Sequence, residues 1–188
     1  MIYICGDSFG ASDSDSDIVP WHEKLDCVNL SRVCATNLQI SQQVDYAIAH
    51  ASFVIVLFTT SVRFEYGSDS YTLHNLDTST LTSEQKNIVT QYAKNFFDLD
   101  LEIYRNKCII ESVLQRLVDS NVPFIFDQGG FEHHSFGTNK KYFEKYNQNR
   151  SDYCLWDYGD SKKFRPYFHI TDQNIHNQIA EYYSEQTR

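Results

Sequence analysis

The residue of this sequence best suited to covalent chemistry is Ser8, which ends the run Gly6-Asp7-Ser8. A serine hydroxyl acts as a nucleophile when a histidine takes its proton and backbone N–H groups receive the oxyanion that forms. Two histidines near the end of the chain, His169 and His176, are candidates for the base. The alternative is that Asp7 or Ser8 only caps a helix, because both residue types favour helix N-termini.

The elements that would position Ser8 alternate between strands and helices. Apolar runs without alternation predict buried strands, and apolar residues at a spacing of three and four predict helices. A polar loop is expected over residues 66–82. Strands are predicted at residues 1–5, 26–30, 53–58, 122–127 and 167–170, and helices at about 38–50, 82–96, 98–119 and 171–184.

This order of elements predicts a single α/β domain over residues 1–188. The expected fold is a flavodoxin-like three-layer α/β/α arrangement with a parallel sheet of about five strands. Ligands bind at the carboxyl edge of such a sheet. Three loops leave predicted strands at that edge, at residues 6–8, 32–37 and 59–65, and His169 directly precedes the final helix. These segments are therefore expected to converge.

In this order, the segments resemble the SGNH/GDSL-type hydrolases, particularly the divergent versions found among phage proteins. The family's Gly-Asp-Ser block stands at residues 6–8, and its Asn-rich second block is similar to residues 29–37. The third block, normally Gly-x-Asn-Asp, falls on residues 58–61, and the last, Asp-x-x-His, falls on residues 166–169. The resemblance covers nearly the whole chain.

The resemblance implies a serine esterase or acyl hydrolase that acts on a small O-acyl or carbohydrate ester, without a metal or organic cofactor. Ser8 would be the nucleophile and His169 the base, with His176 as the alternative base. The N–H groups of Ser8 and Cys34 and the Thr60 hydroxyl would hold the oxyanion. The residues expected at the substrate are Asp7, Asn37, Thr59, Arg63 and Glu65.

The chain departs from the family pattern at three positions. Cys34 replaces the oxyanion glycine, although its backbone N–H can still donate, and Thr60 replaces the oxyanion asparagine. Pro166 stands where the family has the acid of its triad. Losing that acid costs about 10⁴-fold in established triads. A substitute acid would come from Asp157, Asp160 or Asp172.

Arg63 and Glu65 leave the most apolar predicted strand and allow two interpretations. Arg63 either holds an anionic group of the substrate or forms a structural ion pair with Glu65. Two other functions also stay open. The altered blocks favour a binding module without catalysis, and a weaker similarity to nucleoside deoxyribosyltransferases would make Glu65 the nucleophile.

Composition excludes several classes of partner. The net charge of −9 argues against a protein that binds nucleic acid through its phosphates and against one that binds an anionic membrane surface. No signal peptide and no apolar run of membrane-spanning length are visible. The five scattered cysteines form no C-x-x-C pair, which favours a reducing, cytoplasmic location and gives no zinc or disulfide pattern.

No metal site is expected. The aspartates at residues 13–17 imitate the start of a calcium loop, but Ile18 and Lys24 stand where that loop requires Gly and Glu. The histidines within residues 132–134 are adjacent and cannot easily share one ion.

Overall fold

Among the residues that the structure describes, four parallel strands form the main sheet. The computed structural model describes residues 1–11, 18–66, 69–71, 81–129, 131, 143–158, 170 and 172–188. The strands within these residues are β1 (Ile2–Cys5), β2 (Cys27–Asn29), β3 (Phe53–Leu57), β4 (Phe64–Tyr66), β5 (Asp69–Tyr71) and β6 (Phe124–Asp127). The parallel strands lie in the order β2-β1-β3-β6, and β4 and β5 form a separate antiparallel pair.

Four α-helices lie where the apolar spacing predicts them. Two of them begin with a capping box, in which a threonine hydroxyl accepts a hydrogen bond from a glutamine N–H three residues later and the glutamine side chain bonds back. The caps are Thr36 and Thr82. The helices are α1 (Asn37–Ile48), α2 (Ser83–Asn95), α3 (Leu99–Ser120) and α4 (Gln173–Gln186), and 3₁₀ helices cover Trp21–Lys24, Glu144–Asn149 and Leu155–Tyr158.

Alternate strand residues point to opposite faces of the sheet, and each face is covered. Cys5, Val54 and Val56 share one apolar cluster with residues of α1 and α3, including Val44 and Leu114. On the other face, Ile4, Ile55 and Leu57 pack with Trp21 and with α4 residues, including Ile179 and Tyr183. The described residues therefore form a mixed α/β fold that is compatible with three layers.

The described sheet has four strands. The predicted fifth strand, at residues 167–170, lies outside the described residues except for Ile170 and stays a prediction. Part of the predicted polar loop forms the β4–β5 pair. The helix predicted from about residue 171 begins at Gln173, and its cap is Asp172, whose carboxylate accepts from the N–H of Asn174.

No helix begins at Asp7 or Ser8 within the described residues. The Asp7 carbonyl accepts from the N–H groups of Gly10 and Ala11 at 3.1 Å each, so the chain makes a single turn after β1. Among the helices that the structure describes, none combines the length and the apolar character needed to cross a membrane.

Candidate functional site

Buried polar side chains gather where the parallel strands end. A polar group buried in this way has to be satisfied internally, so a concentration of them indicates a built arrangement rather than ordinary core. The strand order reverses between β1 and β3, and this reversal is where open α/β sheets place their ligands. The buried polar residues that lie at the end of β6 or within a few residues after β1, β3 and β6 are Asp7, Thr59, Thr60, Ser61, Asp127 and Gln128.

Gly6 leads the chain out of β1 through a tight space. A Cβ at this position would lie 2.8 Å from the Cβ of Leu57, so no larger residue fits without displacing β3. The Gly6 N–H donates to Oε1 of Gln43 at 2.7 Å, and the Gln43 amide donates to the Gly6 carbonyl at 3.3 Å. The turn that carries Ser8 is therefore held against both β3 and α1.

Asp7 is engaged inside the protein and is not available to a substrate. Its side chain is 1% exposed. Oδ1 accepts from the N–H of Phe9 at 3.0 Å, and Oδ2 accepts from the Thr59 hydroxyl at 2.7 Å. Nη2 of Arg63 lies 3.1 Å from the same Oδ2 atom. The carboxylate thus holds the Ser8 turn from three directions, a positioning task rather than the substrate contact expected from the sequence.

Ser8 is half-buried at the centre of this turn. Its neighbours Asp7 and Phe9 are both buried. In the part of the chain that the structure describes, no hydrogen bond occupies the Ser8 hydroxyl. The oxygen is therefore presented at the sheet edge on a fixed backbone.

Arg63 pairs with Asp7 rather than with Glu65. Its side chain is only 9% exposed, and its Nη1 donates to the Ala35 carbonyl at 2.8 Å. The expectation that Arg63 holds an anionic group of the substrate has no support in this geometry, because the guanidinium is buried in internal contacts. Glu65 is exposed, and its carboxylate accepts from the Thr36 hydroxyl.

Cys34 lies in the left-handed region of backbone conformation, with φ of 62°. Glycine adopts this region readily, whereas other residues are held there at a cost of about 1 kcal/mol. The loop is tied down on two sides: the N–H of Arg32 donates to the Gly6 carbonyl at 3.1 Å, and the Ser70 hydroxyl donates to the Cys34 carbonyl. A backbone of this kind, kept in place by its surroundings, is typical of functional sites.

Asn37 and Thr59 are bonded to each other in the interior. The Asn37 amide donates to the Thr59 carbonyl at 2.8 Å, and its oxygen accepts from the Thr59 N–H at 2.9 Å. Both residues are fully buried, so neither contacts solvent in this structure. Thr60 is 4% exposed, and its hydroxyl oxygen accepts from the Val62 N–H at 3.3 Å while keeping its own hydrogen to donate.

His176 is engaged on the face of the sheet that carries α4. Its Nδ1 accepts from the Trp21 N–H at 3.2 Å, and its Nε2 lies 2.9 Å from the carbonyl of Ile170. Nδ1 thus joins α4 to the 3₁₀ helix Trp21–Lys24, and Nε2 binds the chain just ahead of α4. Asp172 serves as the helix cap described above. This geometry favours neither His176 as the base nor Asp172 as the acid.

The remaining candidates for the base and the acid are not described. His169, Pro166 and Asp160 lie outside the described residues, and so does the side chain of Asp157. Residues 12–17 and 132–134, which contain the calcium-like aspartates and the adjacent histidines, also lie outside them. Among the described residues, no group of three or more histidine, cysteine or acidic side chains is placed to hold a metal.

Asp127 also lies at this edge, although it is not among the site residues predicted from the sequence. It ends β6 opposite Leu57, and its side chain is 3% exposed. Its two carboxylate oxygens accept from the N–H groups of Gly129 at 2.7 Å and Leu155 at 2.8 Å. The signal was present, since an acidic residue directly ends the apolar run that predicts β6.

The sequence matches no protein-family model and no curated protein. A function for this chain accordingly rests on the residues at the carboxyl edge and their geometry.

Proposed function

We propose that this chain is a divergent, phage-like SGNH/GDSL-type serine hydrolase with the flavodoxin-like fold of that family. Its substrate would be a small O-acyl compound or a carbohydrate ester. The observation that carries the proposal is the Ser8 hydroxyl, which has no hydrogen-bond partner among the described residues and lies on a fixed turn at the reversal of strand order. The left-handed backbone at Cys34 adds support, because this is the position where the resemblance implies a glycine.

The proposed reaction begins when Ser8 Oγ attacks the acyl carbon and His169 accepts the serine proton. The N–H groups of Ser8 and Cys34, with the Thr60 hydroxyl, stabilise the oxyanion. The C–O bond of the ester then breaks, and the alcohol leaves with the proton from His169. Water, activated by the same histidine, releases the acid from Ser8 and restores the enzyme. The chemistry needs no metal or organic cofactor.

Pro166 limits the expected turnover rate. Without a carboxylate three residues before His169, the histidine tautomer depends on some other group, and the enzyme would work as a Ser–His dyad or with an acid from elsewhere. The loss of the triad acid costs about 10⁴-fold in established enzymes. Slow turnover of simple esters is therefore expected.

A fluorophosphonate probe tests the proposal, because it forms a covalent adduct with activated serines. We expect the intact mass of the wild-type protein to increase by one adduct, and Ser8→Ala to show no increase. Ser61→Ala is the matched control, since Ser61 is a buried serine of the same edge whose hydroxyl has no partner among the described residues. It should label normally. An unlabelled wild-type protein, or an adduct that persists in Ser8→Ala, would overturn the proposal.

The choice of base is tested by the same probe. Replacing His169 by alanine should slow labelling strongly, whereas His176→Gln should leave the rate for the folded protein near that of the wild type. The reverse result would assign the base to His176.

A binding module is the second candidate, favoured by the substitutions at Cys34, Thr60 and Pro166. It predicts that a small ligand binds at the Ser8 edge while no ester is turned over. A deoxyribosyltransferase would instead release free base from nucleosides, and Glu65→Gln would abolish that release.

A further inference from the structure

We propose that the buried Asp7–Arg63 pair is a positioning device that sets the distance between the Ser8 hydroxyl and the Cys34 N–H. This inference rests on the proposed hydrolase function, in which Ser8 attacks and Cys34 receives the oxyanion. Arg63 touches neither the nucleophile nor the oxyanion and acts through their neighbours. It is therefore a positioning residue and not a catalytic one.

Arg63 joins three loops through one side chain. It belongs to the loop after β3, its Nη2 pairs with Asp7 in the turn after β1, and its Nη1 donates to Ala35 in the loop after β2. Asp7 directly precedes Ser8, and Ala35 directly follows Cys34. The planar guanidinium fixes the spacing of its two donors, so the two catalytic segments are held at a fixed separation.

The burial of the pair supports a role beyond stability. The side chains of Arg63 and Asp7 are 9% and 1% exposed. Pairs buried to this extent lose much of their attraction to the cost of removing both charges from water, and they are weak evidence for stabilisation. Their geometry is nevertheless strict, because an unpaired charge in the interior is strongly unfavourable. The Asp7 carboxylate therefore stays in contact with Arg63 and Thr59, and this contact fixes the position of the Ser8 turn.

A lysine at position 63 could not make both contacts of Arg63. Its ammonium is a single point charge on a flexible stem and cannot bridge Asp7 and the Ala35 carbonyl with a fixed fork. Arg63→Lys should therefore keep the charge while loosening the spacing of Ser8 and Cys34. A displacement of about 1 Å in reacting groups costs on the order of 100-fold in rate.

The test measures the rate of fluorophosphonate adduct formation as a function of probe concentration. We expect Arg63→Lys to lower the maximal rate constant about 10- to 100-fold while the half-saturating probe concentration changes little. The matched control is Arg116→Lys. Arg116 also joins separate elements, pairing from α3 with Asp45 and donating to Ser41 of α1, but it lies away from the sheet edge. Its rate constant should stay within about 2-fold of the wild-type value.

The rates are compared for folded protein, verified by circular dichroism and by the thermal midpoint of each variant. Labelling of folded Arg63→Lys at the wild-type rate would overturn the positioning role while leaving the proposed function intact. An unlabelled wild-type protein would overturn both. Should Arg63→Lys not fold, Asp7→Asn removes the charge that pairs with Arg63, while its amide oxygen can still accept from the Phe9 N–H. Labelling of folded Asp7→Asn should slow several-fold, and labelling at the wild-type rate would contradict the proposal.

Discussion

Replacing Asn37 by alanine removes a set of hydrogen bonds from the fully buried junction between α1 and the end of β3. The Asn37 amide satisfies both the N–H and the carbonyl of Thr59, at 2.9 and 2.8 Å. It also donates to the side-chain oxygen of Asn106 on α3 at 2.7 Å. All three groups would lose this partner in the interior.

The size of the effect follows from these three groups. A buried donor or acceptor that loses its partner costs about 1 to 3 kcal/mol. Because Asn106 can recover part of its loss by rotating, we expect Asn37→Ala to lower the free energy of unfolding by about 4 kcal/mol. This is a large share of the total for a domain of this size, which is about 5 to 15 kcal/mol.

Urea unfolding followed by circular dichroism measures this change. The control is Asn106→Ala, which removes the contact to Asn37 and a bond to the Glu102 carbonyl but leaves both bonds to Thr59 in place. It should cost about 1 to 2 kcal/mol. If Asn37→Ala costs less than its control, the junction does not depend on this amide and Asn37 returns to being a candidate for substrate contact.

Two further predictions concern stability. Cys34→Gly removes a side chain from a residue in the left-handed region and should raise the free energy of unfolding by about 0.5 to 1 kcal/mol, measured by urea unfolding. The control is Asn121→Gly, at φ of 57°, which should raise it less because asparagine tolerates this region. An equal or larger gain in Asn121→Gly would contradict the reasoning. Burial lowers the pKa of His22 below its ordinary value of 6.5. The unfolded chain therefore takes up this proton first, and the free energy of unfolding should fall as the pH drops below about 6.5. His22→Leu should lose less stability between pH 7.5 and 5.5 than the wild type. Equal losses would show that the titration of His22 does not cause the pH dependence.

Much of the fold could be predicted from the sequence because it depends on residues that are close together in the chain. The apolar run that forms β3 and the helical spacing of α3 both depend on neighbouring residues, and both were predicted. The β4–β5 pair was missed because its strands are only three residues long and polar residues follow them. The start of α1 at Asn37 had an unused signal, the Thr36 and Gln39 capping box.

The site was predicted less well than the fold, for a physical reason. The convergence of the loops after β1, β2 and β3 follows from the parallel sheet, and the contacts among Asp7, Ala35 and Arg63 agree with it. Which polar residue faces the substrate depends on side-chain partners far apart in sequence. Asn37 and Arg63 have the residue types of a binding site, yet the structure uses both for internal bonds.

Ser8 as the nucleophile is tested most directly by the hydrolysis of a simple activated ester, such as p-nitrophenyl acetate, by matched wild-type and Ser8→Ala proteins. If Ser8 is the nucleophile, the wild type turns the ester over slowly and kcat/KM falls about 100-fold in the variant, while the unfolding free energy changes little. Turnover that is equal in the two proteins, or absent from both, would contradict the assignment of Ser8 as a nucleophile.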